Sequence, residues 1–226
     1  MKFKFLKMAF AGLVLGVSSF ANAGLITTGY NSGASADGIL FDIQLNDTGL
    51  NFQSMTFLTS NLEGISTGVE LYIRTGSYVG FNDDAAGWNL LFSDTVVPFQ
   101  TIAPTLSTFS SGLVNIDFTD FVLSSNSTFG FYLVTTDNTN VRYQDGSILG
   151  GINASNTDLT ILSGESQNFS GDIFSPTSLN SPRDFRGSFT YAQVQVPSTD
   201  VPEPSTLAIF ALGLMGLASR RFMKKS

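Results

Sequence analysis

The sequence predicts an all-β fold, a jelly-roll-like antiparallel β-sandwich, for most of the 226-residue chain. Residues 24–196 are rich in glycine, serine, threonine, asparagine, aspartate and phenylalanine, and they nearly lack helical periodicity. Short runs of alternating apolar and polar residues recur there between turn-forming residues, as in sandwiches and barrels. About nine or ten such strands favour a jelly roll over the seven-stranded immunoglobulin fold.

Seven segments show the clearest alternation and are predicted to be strands. In the first of them, Ile39, Phe41, Ile43 and Leu45 fall on one face. In chain order the predicted strands are residues 38–45, 68–76, 88–94, 113–118, 128–136, 157–163 and 186–196. Because alternating apolar side chains of a half-buried strand point inward, most aromatic residues in these segments are expected in the core.

The composition excludes several classes of protein. The chain has no cysteine and no histidine, so it has no disulfide, no thiol nucleophile and no thiolate metal site. It also lacks the usual general base and the commonest metal ligand, which excludes a zinc enzyme and a Ser-His-Asp hydrolase. Between Gly24 and Asp200, four arginines stand against 17 acidic residues, a net charge of −13. Nucleic acid is therefore not an expected partner.

Residues 1–23 have the pattern of a secretory signal peptide. A basic segment with three lysines precedes an apolar run over residues 8–17, and Ala21-Asn22-Ala23 fits the small-x-small cleavage rule. We expect the cut after Ala23, so that the mature chain begins at Gly24. The alternative is an N-terminal membrane anchor. An exported domain without cysteine fits a bacterial surface protein.

The C-terminal region divides into three segments. Residues 197–205 form a linker that contains Pro202-Glu203-Pro204, and proline favours extended, accessible backbone there. Residues 206–219 are predicted to form an apolar helix, which is shorter than the roughly 20 residues that a bilayer core requires. The basic tail, residues 220–226, should stay on the cytoplasmic side and hold the large domain outside. Its cations are Arg220, Arg221, Lys224 and Lys225.

The order of these segments resembles the PEP-CTERM sorting signal of Gram-negative bacteria. The residues that carry the resemblance are Val201, Pro202, Glu203 and Pro204, then the short apolar helix and the terminal basic cluster. The resemblance implies that a membrane-embedded exosortase recognises the Pro-Glu-Pro element and removes the tail. It also implies passage through the inner membrane to the cell surface or extracellular matrix, and an association with exopolysaccharide or biofilm. The alternative is a permanent single-span anchor.

The central region carries a second resemblance. Residues 68–91, 127–146 and 181–195 are similar to an exported β-sandwich domain of environmental bacteria that often has this tail. The resemblance implies a fold and no biochemical activity.

Acidic residues give two kinds of candidate site. Paired carboxylates at Asp117 and Asp120, or at Asp83 and Asp84, could serve a glycosidase. We expect Asp117 and Asp120 to face solvent, since they flank phenylalanines in an alternating run, and the pair Asp83-Asp84 to form a turn. We predict no cofactor, with a structural calcium ion as the alternative, because the loops that contain Asp83, Asp84 and Asp137 are rich in oxygen ligands. Turn formation explains these residues equally well.

Aromatic residues give the other candidate site. Exposed aromatic rings beside amides and acids could bind sugar, but we expect most of these rings to be core. The candidates are Tyr78, Phe81, Trp88, Tyr132 and Tyr143. Arg74, Arg142, Arg183 and Arg186 are expected to pair with nearby acids.

These observations favour a non-enzymatic function. The first hypothesis is an exported protein with a structural or interaction role. The second is a carbohydrate-binding module, and the third is a glycan-active hydrolase. Expected partners are an exosortase-like processing enzyme, the inner membrane and extracellular polysaccharide.

Overall fold

The computed structural model describes residues 23–31, 33–60, 66–100, 112–137 and 139–194. The chain divides into two compact units, Met1–Val194 and Gln195–Ser226, and every described residue belongs to the first unit. The predicted helix over residues 206–219 and both basic segments lie outside the described residues, as do Ala21 and the Pro-Glu-Pro linker. Within the described ranges, no helix has the length and apolar character needed to cross a membrane.

The described ranges contain strands and no helix, which confirms the all-β prediction. The strands are β1 (Ala23–Thr27), β2 (Ala34–Ala36), β3 (Gly38–Leu45), β4 (Leu50–Thr59), β5 (Ser66–Thr75), β6 (Asn89–Gln100), β7 (Gly112–Leu123), β8 (Thr128–Thr135), β9 (Val141–Asp145), β10 (Ile152–Ser155), β11 (Leu159–Leu162), β12 (Gly164–Phe169), β13 (Pro176–Phe185) and β14 (Gly187–Gln193). All seven predicted strands are present. The total of fourteen exceeds the expected nine or ten, because short, polar or bulged strands lack a regular alternating pattern.

The strands form one sheet in which the pairings between them are antiparallel. Its order is β1-β14-β4-β7-β6-β5-β8-β3-β12-β13-β9-β2, and β11 joins β10 to β3. Strand β9 also pairs with β4 through Thr59 and Val141, which are the ends of their strands. This last pairing brings distant parts of the strand order together, so the sheet turns back on itself.

The main core lies where the sheet turns back. Phe41 on β3 stacks on Phe185 of β13, with ring centroids 4.7 Å apart, and it also contacts Phe189 of β14 at 6.2 Å. Phe131 on β8 stacks on Phe41 at 5.7 Å. All four rings are fully buried. Burial of each such side chain is worth roughly 1.5–3 kcal/mol, so these rings are a major part of the stability of the fold.

Strand β3 is buried on both faces. Ile39, Phe41 and Ile43 point into the main core, as predicted, while Leu40 belongs to a second cluster of buried residues. Tyr132 on the neighbouring strand β8 lies opposite Leu40 and belongs to the same second cluster. This outer cluster is covered by the segment after β5 and the segment after β12, which together produce the candidate site.

Candidate functional site

The outer cluster forms an aromatic face, defined here as Tyr72, Tyr78, Trp88, Tyr132 and Phe174. Its rings pack edge to face or tilted. The ring centroids of Tyr72 and Phe174 lie 5.6 Å apart, those of Tyr132 and Phe174 5.8 Å apart, and those of Trp88 and Tyr132 5.9 Å apart. Such pairs contribute about 0.5–1.5 kcal/mol each beyond their buried area.

Tyr132 connects the sheet to the segment after β12. Its hydroxyl donates to the carbonyl oxygen of Ile173 at 2.9 Å and accepts from Nε2 of Gln167 at 2.5 Å. Gln167 Nε2 also donates to the same Ile173 carbonyl at 2.8 Å. Burial raises the pKa of Tyr132, so the hydroxyl stays protonated and available as a donor. The segment carrying Phe174 is therefore fixed over the face.

Asp42 connects the sheet to the segment after β5. Its carboxylate accepts from the hydroxyl of Ser77 at 2.5 Å and from the backbone N–H of Tyr78 at 2.9 Å. Burial raises the pKa of Asp42, although these hydrogen bonds and nearby Arg74 lower it in part. Gly130 leaves the room for this contact, because a Cβ there would lie 2.8 Å from the backbone nitrogen of Tyr78.

Arg74 lies at one end of the aromatic face. Its Cζ atom lies 3.2 Å from the ring centroid of Phe81 and 5.9 Å from a ring of Trp88. Trp88 Nε1 in turn donates to the carbonyl oxygen of Phe81 at 2.9 Å, which fixes the two rings relative to each other. Nε and Nη1 of Arg74 are buried and have no hydrogen-bond partner within the described protein. The guanidinium is therefore held mainly by the aromatic rings and by the charges of Asp42 and Asp84.

The open side of the aromatic face combines apolar and acidic groups. Tyr72, Trp88 and Phe174 are partly exposed, and Leu90, which pairs with Tyr72 across β5 and β6, is 52 % exposed. The hydroxyl of Tyr72 donates to Oε2 of Glu70 at 2.7 Å. This arrangement of ring surface beside a carboxylate can contact the apolar faces of sugars and accept hydrogen bonds from their hydroxyl groups.

The structure brings together four of the five aromatic residues suggested from the sequence. Tyr78 and Tyr132 are buried, which confirms the expected core role, while Phe81 and Trp88 are partly exposed. Tyr143 is buried in the main core instead, with its ring 5.2 Å from Cζ of Arg183.

Sequence reasoning missed Tyr72 and Phe174. The position of Tyr72 could have been predicted, because it alternates with core residues on strand β5. Its side chain therefore had to lie on the face of the sheet opposite the main core. Phe174 follows β12 in an irregular segment, where no periodic pattern could have placed it.

Four of the acidic residues suggested from the sequence are exposed on strand β7 or belong to the loop after β5. Asp117 and Asp120 are exposed, as predicted, and Asp120 accepts from Nδ2 of Asn51 at 2.9 Å. Asp84 accepts from the backbone N–H of Ala86 at 2.8 Å, as expected for a turn residue. Asp83 is exposed in the same loop.

The Asp137 carboxylate accepts hydrogen bonds from neighbouring residues of the β domain. Oδ1 accepts from the hydroxyl of Thr67 at 3.0 Å and from the backbone N–H of Thr139 at 3.0 Å, and Oδ2 accepts from the N–H of Gly68 at 3.2 Å. The described residues hold no group of three or more acidic side chains suited to a metal ion. Calcium binding at Asp83, Asp84 or Asp137 thus stays a prediction that these contacts do not favour.

Two of the arginines pair with acids, as expected. Arg183 Nη1 lies 3.1 Å from Asp145 Oδ1, and Arg186 Nη2 lies 3.6 Å from Asp184 Oδ2. These pairs neutralise charge within the domain, so neither arginine presents a free anion site.

Comparisons with solved structures show only remote similarity. The cysteine protease and lectin-like domains of Cwp84, a surface layer associated protein of Clostridium difficile, match 76 % of this chain at 12 % identity with a TM-score of 0.42. A second structure, of the clostridial cysteine protease Cwp84 after propeptide cleavage, matches 76 % at 12 % identity with a TM-score of 0.39. This chain spans only 36 % and 41 % of the length of those two chains. The infectious bursal disease virus VP2 subviral particle matches 86 % of this chain, and 48 % of its own, at 9 % identity with a TM-score of 0.23.

No curated protein matches the sequence, but a protein-family model matches its C-terminal end. The matched residues, 200–221, contain Val201 to Pro204, the apolar run and the first two cations of the basic tail. A signal of this kind implies an exported protein that passes through the membrane and is processed by an exosortase. Residues 200–221 of this chain are therefore a PEP-CTERM protein-sorting motif.

Proposed function

We propose that this protein is delivered to the cell surface or extracellular matrix, where its β domain has a structural or interaction role in an exopolysaccharide or biofilm. The PEP-CTERM motif over residues 200–221 is the observation that carries this proposal. The apolar segment holds the precursor at the inner membrane, and the prolines of Pro202-Glu203-Pro204, a residue type that favours extended backbone, offer the processing enzyme an accessible chain. The β domain is then attached to the matrix or released into it.

Mass spectrometry of the mature protein tests the processing step. The full chain is expressed in a host with its exosortase, and the surface fraction is measured for the wild type and for Glu203→Ala. The wild type should lack the residues after the motif, whereas Glu203→Ala should remain intact to Ser226. Asp47→Ala is the matched control, because it removes an exposed acid outside residues 200–221. Wild-type protein that keeps Ser226 at the cell surface would instead establish a permanent anchor.

The architecture proposed for the β domain is a two-layer, jelly-roll-like sandwich. The ring contacts between β3 and β14, which are not neighbours in the sheet, support two layers that face each other across the main core. The proposed role is non-enzymatic and needs no cofactor.

Carbohydrate binding by the aromatic face is the second candidate function. The partly exposed rings of Tyr72, Trp88 and Phe174 beside Glu70 are the observation that favours it. Titration calorimetry with exopolysaccharide from the producing bacterium, and with dextran for comparison, tests this function. Trp88→Ala should weaken binding at least tenfold if about 1.4 kcal/mol of contact is lost. Phe121→Ala is the control, because it removes a partly exposed ring from β7, away from the face.

A further inference from the structure

The first described strand contains the bond where the sequence predicts removal of the signal peptide. Strand β1 opens with Ala23 and Gly24, and the predicted cut falls between them. In the structure, Ala23 lies opposite Ala192 and Gly24 lies opposite Tyr191, both on β14. The backbone on both sides of the predicted scissile bond is therefore part of an antiparallel strand pair.

Side chains hold this strand pair in place. Ile26 is only 4 % exposed and belongs to the main core. The hydroxyl of Tyr191 donates to Asp158 Oδ2 at 2.9 Å and accepts from Asn156 Nδ2 at 2.7 Å, so the ring cannot swing away freely. The ring lies so close to Gly24 that any side chain at that position would overlap it. The predicted scissile bond thus borders a fixed aromatic ring.

We propose that docking of β1 on β14 shields the Ala23–Gly24 bond from signal peptidase, so that the signal peptide must be removed before the fold is complete. Hydrolysis adds one water across this amide: the carbonyl carbon of Ala23 gains a hydroxyl group, and the nitrogen of Gly24 leaves as an amine. The peptidase must take the chain around this bond into its own cleft as an extended segment. Backbone that is paired with β14 is not available for that step.

The position of β14 in the chain sets the order of events. It is the last strand of the described residues, so β1 finds its partner only after nearly all of the β domain has been exported. Until then Ala23 and Gly24 are unpaired and can be cut. This inference goes beyond the proposed function, because it concerns the N-terminal processing step and does not depend on the sorting motif.

A reversible cross-link provides the test. Leu25 and Thr190 lie opposite each other on β1 and β14, and the natural chain contains no cysteine. The full-length precursor with Leu25→Cys and Thr190→Cys, purified in detergent with its signal peptide intact, is treated with purified signal peptidase. We expect no cleavage in the oxidised form and slow cleavage in the reduced form. A synthetic peptide of residues 1–28 with Leu25→Cys should be cut at least about tenfold faster than the reduced, folded precursor.

A second pair of variants changes the docking itself. Ile26→Asn places an amide in the core and should release β1, which accelerates cleavage, while Leu25→Asn alters a side chain that is 63 % exposed and should leave the rate unchanged. Trp88 fluorescence reports whether each variant keeps the rest of its fold. If Ile26→Asn does not fold, the cleavage rate of the oxidised Leu25→Cys/Thr190→Cys precursor tests the proposal instead. Cleavage of the oxidised precursor as fast as the peptide would overturn the proposal, and so would a peptide that is not cut after Ala23.

Discussion

The guanidinium of Arg74 and the ring of Phe81 are stacked, with 3.2 Å between Cζ and the ring centroid, at one end of the aromatic face. The contact joins strand β5 to the segment that follows it. Nε and Nη1 of this arginine have no hydrogen-bond partner in the described protein, so the ring stabilises the buried charge together with the carboxylates of Asp42 and Asp84.

Loss of this stacking should be measurable. Phe81→Leu keeps an apolar side chain but removes the ring quadrupole, so we expect the free energy of unfolding to fall by about 1 kcal/mol. Urea unfolding of Phe81→Leu, of Arg74→Met and of the double variant gives the coupling between the two residues. Additive effects of the two substitutions would show that the stacking contributes nothing to stability.

The backbones of Gly164 on β12 and Leu40 on β3 lie so close together that position 164 should not accommodate a side chain. A Cβ at this position on β12 would overlap the carbonyl oxygen of Leu40 on β3, so Gly164→Ala should destabilise the domain by about 3 kcal/mol or more. Gly33→Ala is the control, because its nearest neighbours are side-chain atoms of Gln144 at 3.5 Å, and it should change stability by less than about 0.5 kcal/mol. Thermal unfolding of both variants measures the difference.

Asp137 should make stability depend on pH in the acid range. Partial burial alone would raise its pKa, but the hydrogen bonds from Thr139, Thr67 and the backbone of Gly68 together lower the pKa below its ordinary value. Its stabilising contribution is therefore fully present above about pH 4 and is lost as the pH falls through the lowered pKa.

Replacement of Asp137 by asparagine tests this dependence. Asp137→Asn should lower stability at pH 7 by about 1 kcal/mol, since the group is partly exposed, and its difference from the wild type should shrink as the pH falls below about 4. Asp47→Asn, which changes an exposed carboxylate after β3, is the control for the loss of one acidic charge. A constant difference for Asp137→Asn across this range would contradict the prediction.

Trp88 is the single tryptophan of the chain and belongs to the aromatic face, so its fluorescence should report ligand binding there. We expect saturable changes in Trp88 emission on addition of exopolysaccharide. Phe174→Ala removes a ring 6.3 Å from that of Trp88 and should reduce the apparent affinity, whereas Asp120→Asn, on the exposed part of β7, should not. An emission spectrum that never responds would argue against the aromatic face as a sugar site.

The sequence predicted strands where one face is apolar and the other is polar. Strand β3 was predicted with its observed bounds because Ile39, Phe41, Ile43 and Leu45 alternate without interruption. Strand β4 was missed because a bulge between Phe52 and Ser54 shifts the register, so its apolar residues no longer alternate along the chain. Strand β13 was missed because it is largely polar, and it is held by backbone pairing with β12 and β9.

The candidate site was predictable only in part. Trp88, Phe81 and Tyr132 were named as aromatic candidates, but only the fold shows that they converge. Phe174 reaches the face because Gln167 and Tyr132 hold the carbonyl of Ile173, and the contact with Tyr132 joins residues that are 41 positions apart in the sequence. No local pattern encodes such a contact.

The double burial of β3 divides the domain into two regions that can change independently. The phenylalanine stack on one side specifies the architecture, while the opposite side takes its surface chemistry from two connecting segments. Substitutions in those segments should change this surface while the phenylalanine stack keeps its arrangement. The segments after β5 and β12 are therefore the places at which a designed surface could be introduced on this scaffold.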